Sequence, residues 1–287
     1  MVNLFRSRSP RAIAAGLAAA LLVGLGSTAS AQPRTAPVPP PVTYADMADL
    51  VEASSMVALV EVRDQAVVEP ARAAGVAPGH ARLYIEARTL GVLWGRAGLG
   101  QQVAFLADVP LSADGKPPKL KKQQLMVFGS AVPSRPGTLQ LSAPDAYLPA
   151  TPENQQLART VATQFAAAEL PPRIRGVRDV MSVAGNLAGE SETQMFVDTG
   201  NGAPVSLTVV RRPGMQPQWG VSWSEIVDQA AKPPEPNTIA WYRLACSLPA
   251  RLPAGAYLQQ DQLVRARADA DYRVIMQQLG PCTRTRR

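Results

Sequence analysis

Histidine and cysteine are almost missing from this sequence of 287 residues. His80 is the only histidine, and Cys246 and Cys282 are the only cysteines. A zinc site that uses two or three histidines cannot be assembled from one. His80 itself follows Pro78 and Gly79, a context typical of a solvated loop rather than of a catalytic base. We therefore predict neither a metal site nor a cofactor.

Motifs of the common catalytic and nucleotide-binding sites are also missing. After residue 31 the chain has no Gly-x-Ser-x-Gly elbow, no Ser-x-x-Lys pair, no Gly-x-Gly-x-x-Gly and no Walker loop. The sequence GRAGLG at 95–100 has the wrong spacing for a dinucleotide-binding turn. These absences favour a protein without catalysis and give no catalytic residue to assign.

Carboxylate chemistry is the one enzymatic class that the sequence leaves open, because a glycosidase needs only two acids at a suitable separation. Glu153 has a structural explanation, since an acid at a helix start favours the helix dipole. The acids of a predicted hairpin are typical of an exposed strand edge. A carboxylate-dependent envelope hydrolase stays the alternative, with these candidate acids: Asp145, Glu153, Glu190, Glu192 and Asp198.

Long apolar runs occur only near the N-terminus. Three arginines precede the run AIAAGLAAALLVGLG at 12–26, and Ala-Ser-Ala follows at 29–31. This order of charge, apolar run and small-residue triplet is typical of a secretory signal peptide, and the run is shorter than a bilayer span. We predict that residues 1–31 are removed on export, that the protein is periplasmic, and that no transmembrane segment follows.

The formal charge is modest once the signal peptide is set aside. It falls from +7 to +4, because residues 1–31 contain three arginines and no acid. With 5% aromatic residues and no recognisable module, the chain is not expected to bind nucleic acid. The densest basic stretch is GKPPKLKK at 115–122, either a solvated loop between strands or a contact for polyanions such as lipopolysaccharide or teichoic acid; its lysines are Lys116, Lys119, Lys121 and Lys122.

The cysteine pair predicts a disulfide, because an even pair in an oxidising compartment indicates a bridge before it indicates a redox or metal site. Apolar spacing predicts one helix in the segment 261–281, and Gly280 and Pro281 end it. Cys282 then fastens the end of this helix to the apolar segment IAWYRLACSL around Cys246. We expect the three arginines beyond it to form a solvated tail: Arg284, Arg286 and Arg287.

Proline and glycine punctuation predicts an α+β chain in two β-rich units. The first unit combines a short helix at 44–54 with five strand candidates, and the five strands suit an OB-type barrel. A helix follows, and then an antiparallel sheet packed by C-terminal helices. The predicted regions are signal peptide 1–31, proline-rich spacer 32–42, OB-like five-stranded barrel 43–150, connecting helix 151–171, and sheet with C-terminal helices and disulfide 172–287.

The first unit resembles the netrin-module or tissue-inhibitor-like branch of OB folds across residues 44–142. The resemblance rests on ADLVEASSMVALVEVRD at 48–64, ARLYIEARTLGVLWG at 81–95, QQVAFLADV at 101–109 and QQLMVFG at 123–129. Inhibitors of that family use an N-terminal cysteine against the protease metal, and no cysteine precedes Cys246 here. The resemblance therefore implies a fold and carries over no functional residue. The second half resembles exported proteins of Gram-negative bacteria whose activity is uncharacterised.

The second unit contains strand candidates at 175–185, 192–199, 204–212 and 218–226, and Gly-Asn-Gly at 200–202 predicts a hairpin. Trp219 and Trp223 on one predicted strand, with Trp241 later in the chain, could form a platform for a glycan or peptide, or could pack in the core. Together these patterns predict a non-catalytic exported protein that binds or stabilises an unknown envelope protein or polymer. An inhibitor of an exported protease is a further alternative.

Overall fold

The computed structural model describes residues 41–95, 98–224 and 231–286. These described residues form one compact unit. The predicted signal peptide and all but the last two residues of the predicted spacer lie outside the described residues. In the part that is described, no helix combines the length and the apolar character needed to cross a bilayer.

The described chain contains four α-helices and ten strands, with short 3-10 turns at Pro70–Arg72 and Ala254–Ala256. Six strands precede the second helix and four follow it. In chain order the elements are α1 (Tyr44–Glu52), β1 (Met56–Val67), β2 (His80–Trp94), β3 (Gln102–Pro110), β4 (Gln124–Ala131), β5 (Leu139–Leu141), β6 (Tyr147–Pro149), α2 (Pro152–Phe165), β7 (Ile174–Ala184), β8 (Ser191–Thr199), β9 (Ser206–Arg211), β10 (Gln218–Ser222), α3 (Ile239–Ala245) and α4 (Gln262–Leu279).

The first sheet is antiparallel, with strands in the order β3-β2-β1-β4-β5 and β6 paired to β4. Its core face follows the period of two, so that Leu83 and Ile85 on β2 and Phe105 on β3 are buried while the residues between them face outward. Met47 and Val51 of α1 are fully buried and belong to the same core. An isolated parallel bridge joins Ala104 of β3 to Thr138, the residue before β5.

The second sheet is antiparallel in the order β10-β9-β8-β7. The hairpin predicted at 200–202 joins β8 to β9, and Gly202 supplies the left-handed conformation that its turn needs, at φ 76°. One face of the sheet carries Met195, Leu207 and Val209, which are fully buried, and α4 packs beside β7. Burial of this face stabilises the four strands as one sheet.

Helices α1, α2 and α3 pack against one another. Tyr44 of α1 meets Trp241 of α3 edge to face, with ring centroids 6.0 Å apart. The Tyr44 hydroxyl also donates a 2.5 Å hydrogen bond to Gln164 of α2. Buried apolar residues of both sheets belong to one continuous core.

The predicted α+β class is confirmed, and the two β-rich parts are two antiparallel sheets. The first sheet has six strands rather than the predicted five, because β6 pairs with β4 beside β5. The barrel and the division into two domains stay predictions. The connecting helix is shorter than expected, since α2 ends at Phe165 rather than near residue 171. Residues 166–170 are exposed, and helices in proteins depend mainly on a buried face for stability. The last predicted strand also ends early, at Ser222; residues 225 and 226 of that prediction lie outside the described residues.

Candidate functional site

Cys246 and Cys282 lie at disulfide distance, with 2.08 Å between the sulfurs and 5.1 Å between the Cα atoms. Cys246 is the C-cap of α3, and Cys282 lies three residues beyond the end of α4. Tyr272 of α4 adds a hydrogen bond to the Pro249 carbonyl, which follows α3 in the chain. The predicted fastening of the last helix to the segment around Cys246 is therefore present.

The residues after Cys282 dock on α1, so the expectation of a solvated arginine tail is wrong for Arg284 and Arg286. Arg284 donates to both carboxylate oxygens of Asp49, at 2.6 and 3.1 Å. Arg286 binds the side chain and carbonyl of Asp145. The tail docks because the disulfide holds it beside acids that lie some 140 to 240 positions away in the sequence. Local sequence patterns carry no information about contacts over such separations. Arg287 lies outside the described residues.

Asp46 is the buried centre of this contact. Its carboxylate accepts from the Thr285 hydroxyl at 2.7 Å and from the backbone N–H groups of Thr285 and Arg286, while it also closes the capping box of α1 with Thr43. Burial raises the pKa of Asp46, but the hydrogen bonds from Thr285, Arg286 and Thr43 outweigh burial and leave the pKa below its ordinary value. The carboxylate therefore stays ionised at neutral pH and holds the tail.

A second feature is a cleft of about 790 Å³, here called the arginine cleft. Its wall is formed by the C-terminal ends of α1 and α2, the end of β2, the start of β7, the β8–β9 turn and α3. Its charged lining residues are Glu52, Arg173, Arg175 and Arg243. Its apolar lining includes Trp94, Phe165, Leu170 and Ile174.

Arg243 forms the floor of the arginine cleft and is only 5% exposed. Its two terminal nitrogens lie 2.8 and 2.7 Å from the two oxygens of Glu52, and its Nε donates to the Pro171 carbonyl at 3.1 Å. The guanidinium also lies over the rings of Phe165 and Tyr242, at 5.7 and 5.6 Å from their centroids. A buried charge with this many partners is fixed in position.

Glu52 pairs with a second arginine, since Arg173 Nε donates to its Oε1 at 2.6 Å. Burial raises the pKa of Glu52, but its bonds to Arg243 and Arg173 outweigh burial and bring the pKa below its ordinary value. Arg175, two residues further along, donates to the Gly200 carbonyl at 3.3 Å and to no other group in the described part of the chain. Three guanidinium groups against one carboxylate leave the lining of the cleft with two excess positive charges.

The three candidate platform tryptophans do not form a shared exposed surface. Trp219 and Trp241 are buried, and their indole N–H groups donate to the Gln278 side chain and the Leu279 carbonyl at 2.8 and 2.7 Å. Trp223 is half-buried against the core. This burial favours the core-packing interpretation of the alternating aromatics.

The candidate lysines all lie exposed in the β3–β4 loop, as a solvated loop requires: Lys116, Lys119, Lys121 and Lys122. Lys121 makes an exposed ion pair with Asp64 at 3.6 Å. Leu120 is buried between these lysines, and its N–H donates to Gln65 at 2.6 Å. The loop is thus anchored at one apolar point, and its contact with polyanions stays a prediction.

Most of the acids considered for carboxylate chemistry have structural partners. Asp145 binds Arg286, Glu190 accepts the N–H groups at 186 and 187, and Glu192 accepts from Gln194. Glu153 lies in the first turn of α2, as expected, and Asp198 is exposed on β8.

His80 is the exposed first residue of β2, with Nδ1 3.2 Å from the Pro78 carbonyl. No group of three potential metal ligands occurs among residues 41–95, 98–224 and 231–286.

The sequence patterns missed the residues of the arginine cleft. Glu52 is 121 positions from Arg173 and 191 from Arg243 in the sequence, so no local motif joins them. One signal was present: the segment PPRIRG at 171–176 places two arginines on alternate positions beside a buried Ile174, which indicates two cations on one side of a strand start.

Comparison of the sequence with models of known protein families gives no match. Comparison with curated proteins gives no significant match either. The function is therefore inferred from the chemistry of this chain alone.

Proposed function

We propose that this protein is exported to the periplasm and acts there without catalysis, by binding a negatively charged group of another envelope component. The arginine cleft is the observation that carries the proposal. Its volume is within the range of about 300–1,000 Å³ that is common for ligand sites. It combines two excess positive charges with apolar walls, an arrangement that suits an acidic group attached to an apolar one.

The cleft is lined by elements from both halves of the chain. Trp94 and Phe165 belong to the first sheet and the connecting helix, whereas Arg173 immediately precedes β7 of the second sheet and Arg175 lies on it. A ligand held between them would link the two halves and stabilise the folded chain, because a ligand that binds only the native state raises stability. This supports a binding or stabilising role over hydrolysis, since the candidate acids lie outside the lining of the cleft.

We also propose that the first sheet closes into an OB-like barrel. The parallel bridge between Ala104 and Thr138 supports closure, as do two backbone hydrogen bonds between its edges: Ala104 N–H to Gly137 at 2.7 Å and Asp108 N–H to Pro144 at 2.8 Å. A barrel removes the exposed edges that an open sheet leaves. It is a scaffold for the cleft and does not by itself favour protease inhibition.

Export predicts a processed N-terminus. We expect the protein recovered from the periplasmic fraction of a Gram-negative host to begin at or near Gln32, because the cleavage triplet at 29–31 precedes it. Intact-mass spectrometry of that fraction measures the cleavage site directly. Recovery of the chain with Met1 still attached, in the membrane or cytosolic fraction, would contradict export.

The binding role predicts a loss of affinity when the two outer arginines are removed. We expect Arg173→Ala with Arg175→Ala to weaken binding of an acidic envelope component tenfold or more, because each charge-assisted hydrogen bond contributes about 1.5–3 kcal/mol. Fluorescence anisotropy with labelled lipopolysaccharide, phosphatidylglycerol vesicles and soluble peptidoglycan fragments measures the affinity.

Arg178→Ala is the matched control, because Arg178 lies on β7 with Arg175, is about as exposed as Arg173 and pairs with Asp179 outside the cleft. The control variant is expected to bind as the wild type does. The proposal fails if none of the acidic probes binds the wild type, or if the double variant and the control bind equally well.

A further inference from the structure

We infer that the acidic group taken by the arginine cleft is a carboxylate on an apolar group, bound by the two terminal nitrogens of Arg173. This inference rests on the proposed function and adds the ligand class. It is carried by the way Arg173 is held, by the helix ends that face the site, and by the apolar wall.

Arg173 is held at one end of its guanidinium group and open at the other. Its Nε donates to Glu52, whereas neither Nη1 nor Nη2 has a hydrogen-bond partner in the described part of the chain. The side chain is 68% exposed and lines the cleft. The planar pair of nitrogens is therefore available to a ligand that offers two oxygens in one plane.

Glu52 keeps its position independently of Arg173. Both of its oxygens contact the buried Arg243, and the Tyr242 hydroxyl lies 3.3 Å from Oε2. Arg173 is thus pinned to a fixed carboxylate and does not need to be ordered when a ligand arrives. Such pre-organisation reduces the entropy lost on binding.

The surrounding electrostatics favour one negative charge over two. Glu52 is the last residue of α1 and Phe165 the last of α2, so two helix C-termini border the cleft. Helix C-termini carry a partial negative charge, whereas phosphate sites are typically built on helix N-termini. A singly charged carboxylate is accordingly the better fit to Arg173 and Arg175 than a doubly charged phosphate.

The apolar wall requires more than a bare anion. Trp94, Phe165 and Leu170 line the same cleft, and Leu170 is 40% exposed although it is a large apolar residue. An apolar group next to the carboxylate would cover these side chains and gain free energy from their burial. Acetate should therefore bind much more weakly than a carboxylate that carries a ring or an alkyl chain.

The test uses isothermal titration calorimetry of the full mature chain with 4-phenylbutyrate. Arg173→Lys keeps the charge and removes the planar pair of donors. We therefore expect this variant to bind 4-phenylbutyrate about tenfold more weakly, or weaker still. Arg178→Lys should leave the affinity unchanged. Acetate, 4-phenylbutanol and phenyl phosphate should each bind the wild type more weakly than 4-phenylbutyrate does.

The outcomes separate this inference from the proposed function. Equal binding of 4-phenylbutyrate by the wild type and Arg173→Lys would overturn the inference and leave a purely electrostatic anion site. Tighter binding of phenyl phosphate would overturn the carboxylate assignment in the same way. If the acidic envelope probes bind but 4-phenylbutyrate does not, the ligand class is wrong; if no anion binds at all, the proposed function fails as well. If Arg173→Lys has the same melting temperature as the wild type, unfolding is excluded as the cause of weaker binding.

Discussion

Replacing both cysteines with serine is expected to destabilise the protein by about 3–4 kcal/mol. The bridge spans 36 positions, and chain-entropy arguments assign roughly that contribution to a loop of this size. For a chain of this length the melting temperature should fall by roughly 6–16 °C. The double substitution Cys246→Ser with Cys282→Ser avoids the mispairing that one free thiol would allow, and thermal melting measures the effect.

The loss of stability should appear first near the C-terminus and only then in the rest of the chain. Cys282 joins α4 to α3 and also delivers the tail to Asp46 and Asp49 of α1. Without the bridge, hydrogen exchange should become faster first in Gln262–Leu279 and in the tail, while β1 and β2 stay protected. Titration of the denatured, unreduced wild type should find no free thiol. Two free thiols per chain, or a dimer linked through Cys282, would contradict an intramolecular bridge.

Local sequence patterns predicted the elements well wherever one face of an element is buried. Thr43 and Thr151 are residue types that favour helix caps, and both accept a hydrogen bond from the helix that they begin. The Gly-Asn-Gly turn predicted the hairpin between β8 and β9, and Leu207 and Val209 of β9 alternate on its buried face. These signals succeed because turn geometry and face burial act over a few residues.

The arginine cleft and the docked tail were not predictable in this way. Both depend on α1, whose acids Asp46, Asp49 and Glu52 bind residues far away in the sequence. The sequence shows these acids only as the polar positions of an amphipathic helix, and a solvated helix face has the same pattern. Which distant arginine meets each acid is decided by how the helices pack, and spacing carries no information about that.

The tryptophans show a related limit. Alternation placed Trp219 and Trp223 on one side of a strand, and that was compatible with either a ligand platform or a core. The deciding fact is that α4 supplies Gln278 to the Trp219 indole, an acceptor 59 positions further along the chain. Period-two spacing reveals that a strand has an apolar face but not what covers it.

The second sheet contains one polar cluster inside its core, centred on Asp271 of α4. Asp271 is fully buried, and its two oxygens accept from Arg211 Nε on β9 and the Thr193 hydroxyl on β8, each at 2.5 Å. Thr193 Oγ1 also lies 2.8 Å from Ser182 Oγ on β7. The carboxylate therefore connects the last helix directly to β8 and β9, and Thr193 extends the cluster to β7.

Replacing Asp271 with asparagine is expected to destabilise the protein by about 3 kcal/mol. The change keeps the side-chain volume but leaves Arg211 without its counter-ion. Removing one partner of a buried ion pair typically lowers stability by about 3–5 kcal/mol. We expect the lower end of that range because the Arg211 side chain is 30% exposed and water can solvate part of its charge.

Chemical denaturation measures the loss of stability. Asp198→Asn, on the exposed face of β8, is the matched control and is expected within about 0.5 kcal/mol of the wild type. Adding Arg211→Met to Asp271→Asn should recover part of the stability, since it removes the uncompensated charge. If Asp271→Asn is no less stable than Asp198→Asn, the buried carboxylate does not hold α4 to the sheet.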